Sequence, residues 1–517
     1  MKKRGMSLQF FYSGRYLPHR RMVFLAVILT LILTLWPDWV YQALAAPDPK
    51  PVEIEALRTE NSKTFLKPDQ KTYVLQEYLQ PIHYKQNGKW VDINNNVQSA
   101  GKSALDSDLP YINGGNRFRV GFANHSRGKK VVRFRLGQAE VDFGLIGGAN
   151  TTAKKKENQV TYPDVYPDTD LTYTVTNTGV KEAWVLHKYT GQLFYTLSVK
   201  TKNVKAEEQK DGSIAFVDAK GKTLFSIPRP CMYDAKDGIS NNVKFVLRTE
   251  GNETYIDLKP DDAWLKDPSR AFPVTIDPSI SVQGATNTYD ATVGSGNAQN
   301  VNFGTNSYLL TGTYTDPTYG TGVYRSYIKF GLAPLLSSAN ITSAKLTLYQ
   351  YATTQSEQVD LYSVASDWQS TGIKWSQLPS TGSLITSTTV SDVGFYDFDI
   401  TSLVKQWYGG TTSNYGMMLR LNQESDNWKG FRSSDYPDNN SQKPMLTITY
   451  TIDPIGVESF WTSAVTNINT YNGNFYLEDS DVSIDGRGTG LSIERSYNSR
   501  STASGIFMAG RLTWNKA

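Results

Sequence analysis

The chain has 517 residues, with 53 Lys and Arg against 49 Asp and Glu and a formal charge of +4. Six of those cations (Lys2, Lys3, Arg4, Arg15, Arg20, Arg21) and one acid (Asp38) fall within residues 1–45, leaving 47 basic and 48 acidic residues elsewhere. That balance removes the electrostatic case for a nucleic-acid partner, and 31 Tyr with 11 Trp and few helix-favouring runs predict an all-β chain of two to four domains.

Residues 1–45 read as a secretion signal. A basic stretch ends at Arg20-Arg21, an uncharged apolar run follows from Met22 to Trp36, and Ala43-Leu-Ala45 puts small residues at the −3 and −1 positions of a cleavage site. The apolar run is shorter than the ~20 residues that span a bilayer, so cleavage after Ala45 and no stable membrane span are expected. Cys231 is the single cysteine, which excludes an intrachain disulfide and suits an exporter that folds proteins without them. Set in Pro228-Arg-Pro-Cys-Met232 with no nearby His, it reads as a half-buried apolar residue and not as a nucleophile.

Residues 46–62, opened by Pro47, Pro49 and Pro51, read as a linker. Residues 63–279 alternate as short strands, among them Thr72–Leu75, Phe118–Phe122, Val131–Leu136, Leu171–Val175 and Val243–Leu247. Asn87-Gly88 marks a hairpin. Thr275-Ile-Asp-Pro278 and Thr451-Ile-Asp-Pro454 each close a strand with a proline that cannot continue a ladder, which places boundaries near 279 and 453. Between them, Thr-, Tyr- and β-branched-rich strands predict a central antiparallel β-sandwich of jelly-roll type over 280–453. One short helix is expected after Asp399 and Thr401, with Leu403, Val404 and Trp407 on one face and Gly409-Gly410 ending it. Residues 454–517 are a marginal domain at best, and a continuation beyond this chain is expected.

Sugar recognition needs a flat ring against a pyranose face and polar groups at its rim. Tyr289, Tyr308, Trp428, Arg432 and Tyr436 stand beside Asn, Asp or Ser in turn-like segments and are carbohydrate-binding candidates; Arg325, at the head of a strand, joins them. Trp368, Trp375 and Trp407 are assigned to the core. Asp164, Asp168 and Asp170 are the one carboxylate group that would suit calcium, against a simpler reading as turns punctuated by Pro163 and Pro167. The His residues lack zinc spacing, and no nucleophile elbow or phosphate loop is present.

Three segments resemble known families. Asp290-Ala-Thr-Val293, Asn302-Phe-Gly304, Arg325-Ser-Tyr-Ile-Lys-Phe330, Asp399-Ile-Thr-Ser-Leu-Val404, Tyr415-Gly416 and Phe431-Arg-Ser-Ser434 resemble a DNRLRE domain, grouped with carbohydrate-binding module family 96. Gly473-Asn474, Asp481, Ile484-Asp-Gly-Arg-Gly488 and Arg495-Ser-Tyr-Asn-Ser499 resemble the opening module of Rhs/YD-repeat proteins, although no YD repeat follows. Leu57–Thr64 and Asp164–Tyr173 are similar to the N-terminal region of wall-associated Rhs proteins. The resemblances imply a secreted, wall-associated, non-enzymatic adhesion region that binds surface polysaccharide, needs no cofactor, and belongs to a polymorphic-toxin-like protein whose C-terminal shell and toxin are absent from this chain. The alternatives are an accessory region of a polysaccharide-degrading enzyme and a ligand-free stalk.

Overall fold

The computed structural model describes residues 50–101, 105–236, 238–282, 290–316, 318–336, 338–352, 355–425, 427–436 and 440–452, and then 463–465, 468–469, 475–484, 491–499 and 510–513. The leader with Ala43 and Ala45, Tyr289, Asn472-Gly473 and Asp485–Gly488 lie outside the described residues. The fold is all-β and antiparallel, with strands gathered into sandwich-like layers.

The first sandwich packs two sheets over one core. One sheet runs in the order Lys244–Glu250, Glu253–Lys259, Tyr195–Lys202, Ala139–Ile146, Gly128–Leu136, Arg119–Phe122, Tyr111–Gly115, Asn94–Ser99. Its partner contains Gln159–Tyr166, Thr169–Val175, Gly179–Leu186, Thr223–Ile227 and Val274–Asp277. Alternation dictates the packing: in Thr169–Val175 every second residue is buried, which sends Leu171, Tyr173 and Val175 inward. Phe143 bridges the sheets, edge-on to Phe134 of its neighbouring strand at 5.9 Å and to Phe216 of the facing sheet at 6.0 Å. Aromatic pairs in this geometry add to what their burial contributes.

The second sandwich holds a core of Leu309, Leu346, Leu348, Leu361, Leu419 and Ile448. Its strands form one ladder: Thr72–Tyr78, Met445–Ile452, Ala339–Gln350, Trp428–Arg432, Tyr308–Asp316, Gly320–Ile328, Met417–Leu421, Glu357–Val364 and Thr381–Val390 in that order. Ala339–Gln350 meets Trp428–Arg432 through one residue pair, Gln350 with Phe431. The expected helix spans Thr401–Tyr408 and buries Leu403, Val404 and Trp407. Asp399 secures its start by accepting from the Thr401 N–H at 2.9 Å and from its hydroxyl at 2.6 Å. Trp368 and Trp407 are core residues and Trp375 packs partly buried against the core.

The sheets do not divide at residue 279. Thr72–Tyr78 pairs along its whole length with Met445–Ile452, so a strand from near the chain's beginning completes the second sandwich. Ile280–Val282, just past Pro278, pairs back with Gly179–Val180 and Phe225–Ser226 of the first. Within the segment read as a linker, Val52–Glu53 pairs with Phe65–Leu66, and Arg58 grips Glu53 at 2.6 and 3.0 Å. Charged residues of that segment are used in ion pairs there. The Asn87-Gly88 hairpin forms with both residues left-handed, as a two-residue turn of that type requires. Tyr476–Ile484, Leu491–Asn498 and Gly510–Thr513 make a small antiparallel sheet.

Candidate functional site

Two of the motifs read from the sequence meet at one place. Asp290, at the start of its strand, is buried and accepts from the Ser434 N–H at 2.7 Å and the Ser434 hydroxyl at 2.6 Å. Burial, and then the nearby Asp435, push the Asp290 carboxyl upward. Ser433 is held in turn: its N–H reaches Ser307 O at 3.1 Å and its hydroxyl Asn306 O at 2.5 Å. These bonds fix the turn that follows the strand Trp428–Arg432 and set the position of Tyr436.

Arg432 ends that strand with its guanidinium against two rings, 4.6 Å from the centre of Tyr351 and 3.9 Å from that of Tyr436. Tyr308 stands directly opposite it in the ladder. Tyr351 can lie here because Gly430 has no side chain; a Cβ at Gly430 would sit 2.7 Å from the ring. The Arg432 Nε–H is buried without an acceptor among the described residues. Tyr308, Tyr314, Tyr351, Arg432, Tyr436 and Lys443 form one wall of a cleft of about 500 Å³. The other wall is supplied by the first sandwich, through Thr178, Lys181, Arg229, Cys231 and Asp277. Such a volume suits a small ligand or a short stretch of polymer.

Of the six sugar-binding candidates, the structure brings Tyr308, Arg432 and Tyr436 together in this cleft. Trp428 packs edge-on behind Tyr314 at 5.0 Å. Arg325 is elsewhere: its Nε and Nη2 each donate to Glu424 at 2.8 Å, and its guanidinium covers Trp375 at 4.9 Å. Tyr289 lies outside the described residues. Tyr351, Tyr314, Lys181 and Arg229 escape a reading of the sequence. Tyr351 closes a strand like many tyrosines here, and the two cations lie in a region that looks like a separate domain.

Cys231 is half-buried on the cleft wall, and burial pushes its thiol up to about 12, so it is a poor nucleophile. Two of the three aspartates weighed for calcium have carboxylates engaged by protein groups. Asp170 accepts from the Asp164 N–H at 2.8 Å and contacts His187 at 3.0 Å, while Asp168 pairs with Lys188 at 2.8 Å. Asp164 and Asp168 both adopt left-handed backbone, as turn residues do. Among the described residues no group of three or more His, Cys, Asp or Glu is arranged to hold a metal ion. No helix among them is long and apolar enough to cross a membrane.

Residues 281–450 match the sequence profile of carbohydrate-binding module family 96. The ring-lined wall of the cleft lies within that match. Residues 466–511 match a domain of unknown function, DUF6531. Over 433 residues the chain is 32% identical to a protein of Bacillus subtilis strain 168 named tRNA nuclease WapA, covering 78% of this chain and 18% of that protein. A Bacillus spizizenii protein named tRNA3(Ser)-specific nuclease WapA is 32% identical over 430 residues, again 18% of its length. A wall-associated protein of Geobacillus stearothermophilus is 28% identical over 198 residues, which are 36% of this chain and 77% of that protein. The chain is thus similar to wall-associated proteins, and it spans less than a fifth of the length of the two nuclease relatives.

These names correct one expectation. A protein without enzymatic activity was expected, and relatives at this level of similarity are named as tRNA nucleases. The expected exclusion of nucleic acid conflicts with the same names. The charge balance behind the second expectation, like the missing catalytic motifs behind the first, reports only on the residues in this chain, and the relatives are more than five times as long as the matched segment.

Proposed function

We propose that this chain is the glycan-binding, wall-attaching region of an exported protein of Rhs type, and that its cleft at Arg432 is where polysaccharide is held. One observation carries the reading: a pre-positioned guanidinium framed by tyrosine rings, inside residues that match a carbohydrate-binding module. Tyrosine rings offer flat apolar faces to sugar C–H groups, and Arg432 and Lys443 offer donors to sugar oxygens. Attachment of this kind is weak at one site and gains from many copies along a polymer. The similarity to wall-associated proteins supports a cell-wall or cell-surface location, and the basic leader supports export. The DUF6531 match and the Rhs-like motif Arg495–Ser499 support a place ahead of a larger effector-bearing body. For such a whole protein, the relatives' names support a nuclease directed at tRNA.

The test is co-sedimentation of the purified chain with insoluble bacterial cell-wall polysaccharide, repeated with Arg432→Ala and Tyr436→Ala. Retention of the wild type with a loss of about tenfold or more in each variant is expected. A wild-type chain that stays in the supernatant with every wall preparation and soluble glycan tried removes the reading.

A further inference from the structure

The cleft has two walls, and only one of them falls within residues 281–450. We infer that the first sandwich is part of the glycan site, with Lys181 and Arg229 acting as specificity-determining residues opposite Arg432. This rests on the glycan reading above.

The first argument is placement. Lys181 projects from Gly179–Leu186 and Arg229 follows Thr223–Ile227, two strands joined through Ile280–Val282 in the same sheet. Both side chains line the cavity that Tyr308, Arg432 and Tyr436 line from the other side. The Lys181 ammonium acts across the cleft on the Asp435 carboxyl through its charge, and among the described residues no direct hydrogen bond holds it. Arg229 spends one nitrogen on Asn241 O, at 2.7 Å, which fixes its reach and leaves its other donors. Ammonium and guanidinium groups only donate, so Lys181 and Arg229 favour a chain presenting oxygen acceptors to them, beside the acceptor carboxylate of Asp277 on the same wall.

The second argument is rigidity. A two-walled site discriminates only if its walls keep their separation. The segment Leu79–Ile82 runs along the seam and is bonded on both sides. Pro81 O accepts from Asn177 Nδ2 of the first sandwich at 2.7 Å. Gln80 donates to Asp435 at 3.1 Å and accepts from Lys443 at 3.1 Å in the second. Asn241 donates to the Tyr319 hydroxyl at 2.5 Å across the same seam. Arg432 is held as well, its guanidinium packed against the rings of Tyr351 and Tyr436.

The experiment uses the full chain and insoluble bacterial cell-wall polysaccharide as the probe, comparing wild type, Arg432→Ala and the double variant Lys181→Ala, Arg229→Ala, with thermal unfolding followed in parallel. Retention by the wild type, and a loss of about tenfold in the double variant at unchanged Tm, is the expected result. A double variant within about twofold of wild type, while Arg432→Ala loses retention, overturns the two-walled site and leaves the glycan reading intact. Failure of the wild type to bind removes both. If the double variant unfolds early, Lys181→Met decides: it keeps the apolar stem and removes the ammonium. A loss beyond about twofold then supports the inference and a smaller one overturns it.

Discussion

The Gln80 amide donates to the Asp435 carboxylate at 3.1 Å across 355 residues of sequence. Its oxygen accepts from Lys443, whose ammonium burial pushes down to about 8. One neutral side chain thus separates and satisfies two opposite charges at the seam. Gln80→Ala leaves both without that partner, and a buried charge without a partner costs more than the bond itself returns. We expect a loss of about 1–3 kcal/mol in urea unfolding, with Gln80→Glu no better, because it sets a third carboxylate beside Asp435. An unchanged midpoint for both variants would show the seam to be dispensable.

Glu77 predicts a pH dependence. It is buried on the strand Thr72–Tyr78 and accepts from the Ala333 N–H at 2.9 Å, while Ala333 O takes the Tyr408 hydroxyl at 2.6 Å. Burial pushes its carboxyl up to about 7 from an ordinary 4.5, although the Ala333 and Leu332 N–H groups pull it down. Glu182, buried under Trp184, is pushed up to about 7 in the same way. Between pH 4.5 and 7 the folded chain holds these protons and the unfolded chain does not, so stability falls as pH rises through that window. Each group contributes a slope of up to about 1.4 kcal/mol per pH unit. His83, whose imidazole burial pushes down, works in the opposite direction below 6.5. Urea midpoints at pH 5, 6 and 7 should decline for wild type and decline less for Glu77→Gln; a flat wild-type profile contradicts the assignment.

Arg325 gives a contrast with Arg432. Its bidentate pairing with Glu424 joins Gly320–Ile328 to the segment after Met417–Leu421, and both side chains are largely buried. Glu424→Gln weakens that pair and should cost about 1–3 kcal/mol. Wall retention of the folded variant should stay at the wild-type level, because neither residue lines the cleft. A retention loss as large as that of Arg432→Ala would move the site to Arg325.

Gly416 tests the second sandwich by backbone alone. Its φ is +81°, and an added Cβ would stand 2.4 Å from Ile328 O. Gly416→Ala therefore meets both a conformational penalty and a collision with main chain, and should destabilise by more than about 1 kcal/mol. Gly410, also left-handed but with open space around it, should tolerate alanine better. Equal thermal midpoints for the two variants would refute this account.

Much of the site was legible in residues that repeat a local pattern. Alternation located the strands, Asp399 and Gly409 bounded the helix, and the tyrosines and Arg432 of polar turns stood out because large rings beside Asn, Asp and Ser have little local reason to be there. Arg325 looked the same on those terms. Only Glu424, 99 residues away, shows that its charge is already spent.

The sequence alone determined the all-β class, the helix and three residues of the cleft, since those follow from periodicity and side-chain chemistry within a few residues. Tertiary structure decided which strands share a sheet and which side chains share a cavity. Strand pairing joins backbone groups that every residue carries, so nothing in Thr72–Tyr78 announces Met445–Ile452 as its partner. For the same reason the wall holding Lys181 and Arg229 could be found only once the two sandwiches were seen to meet at Gln80.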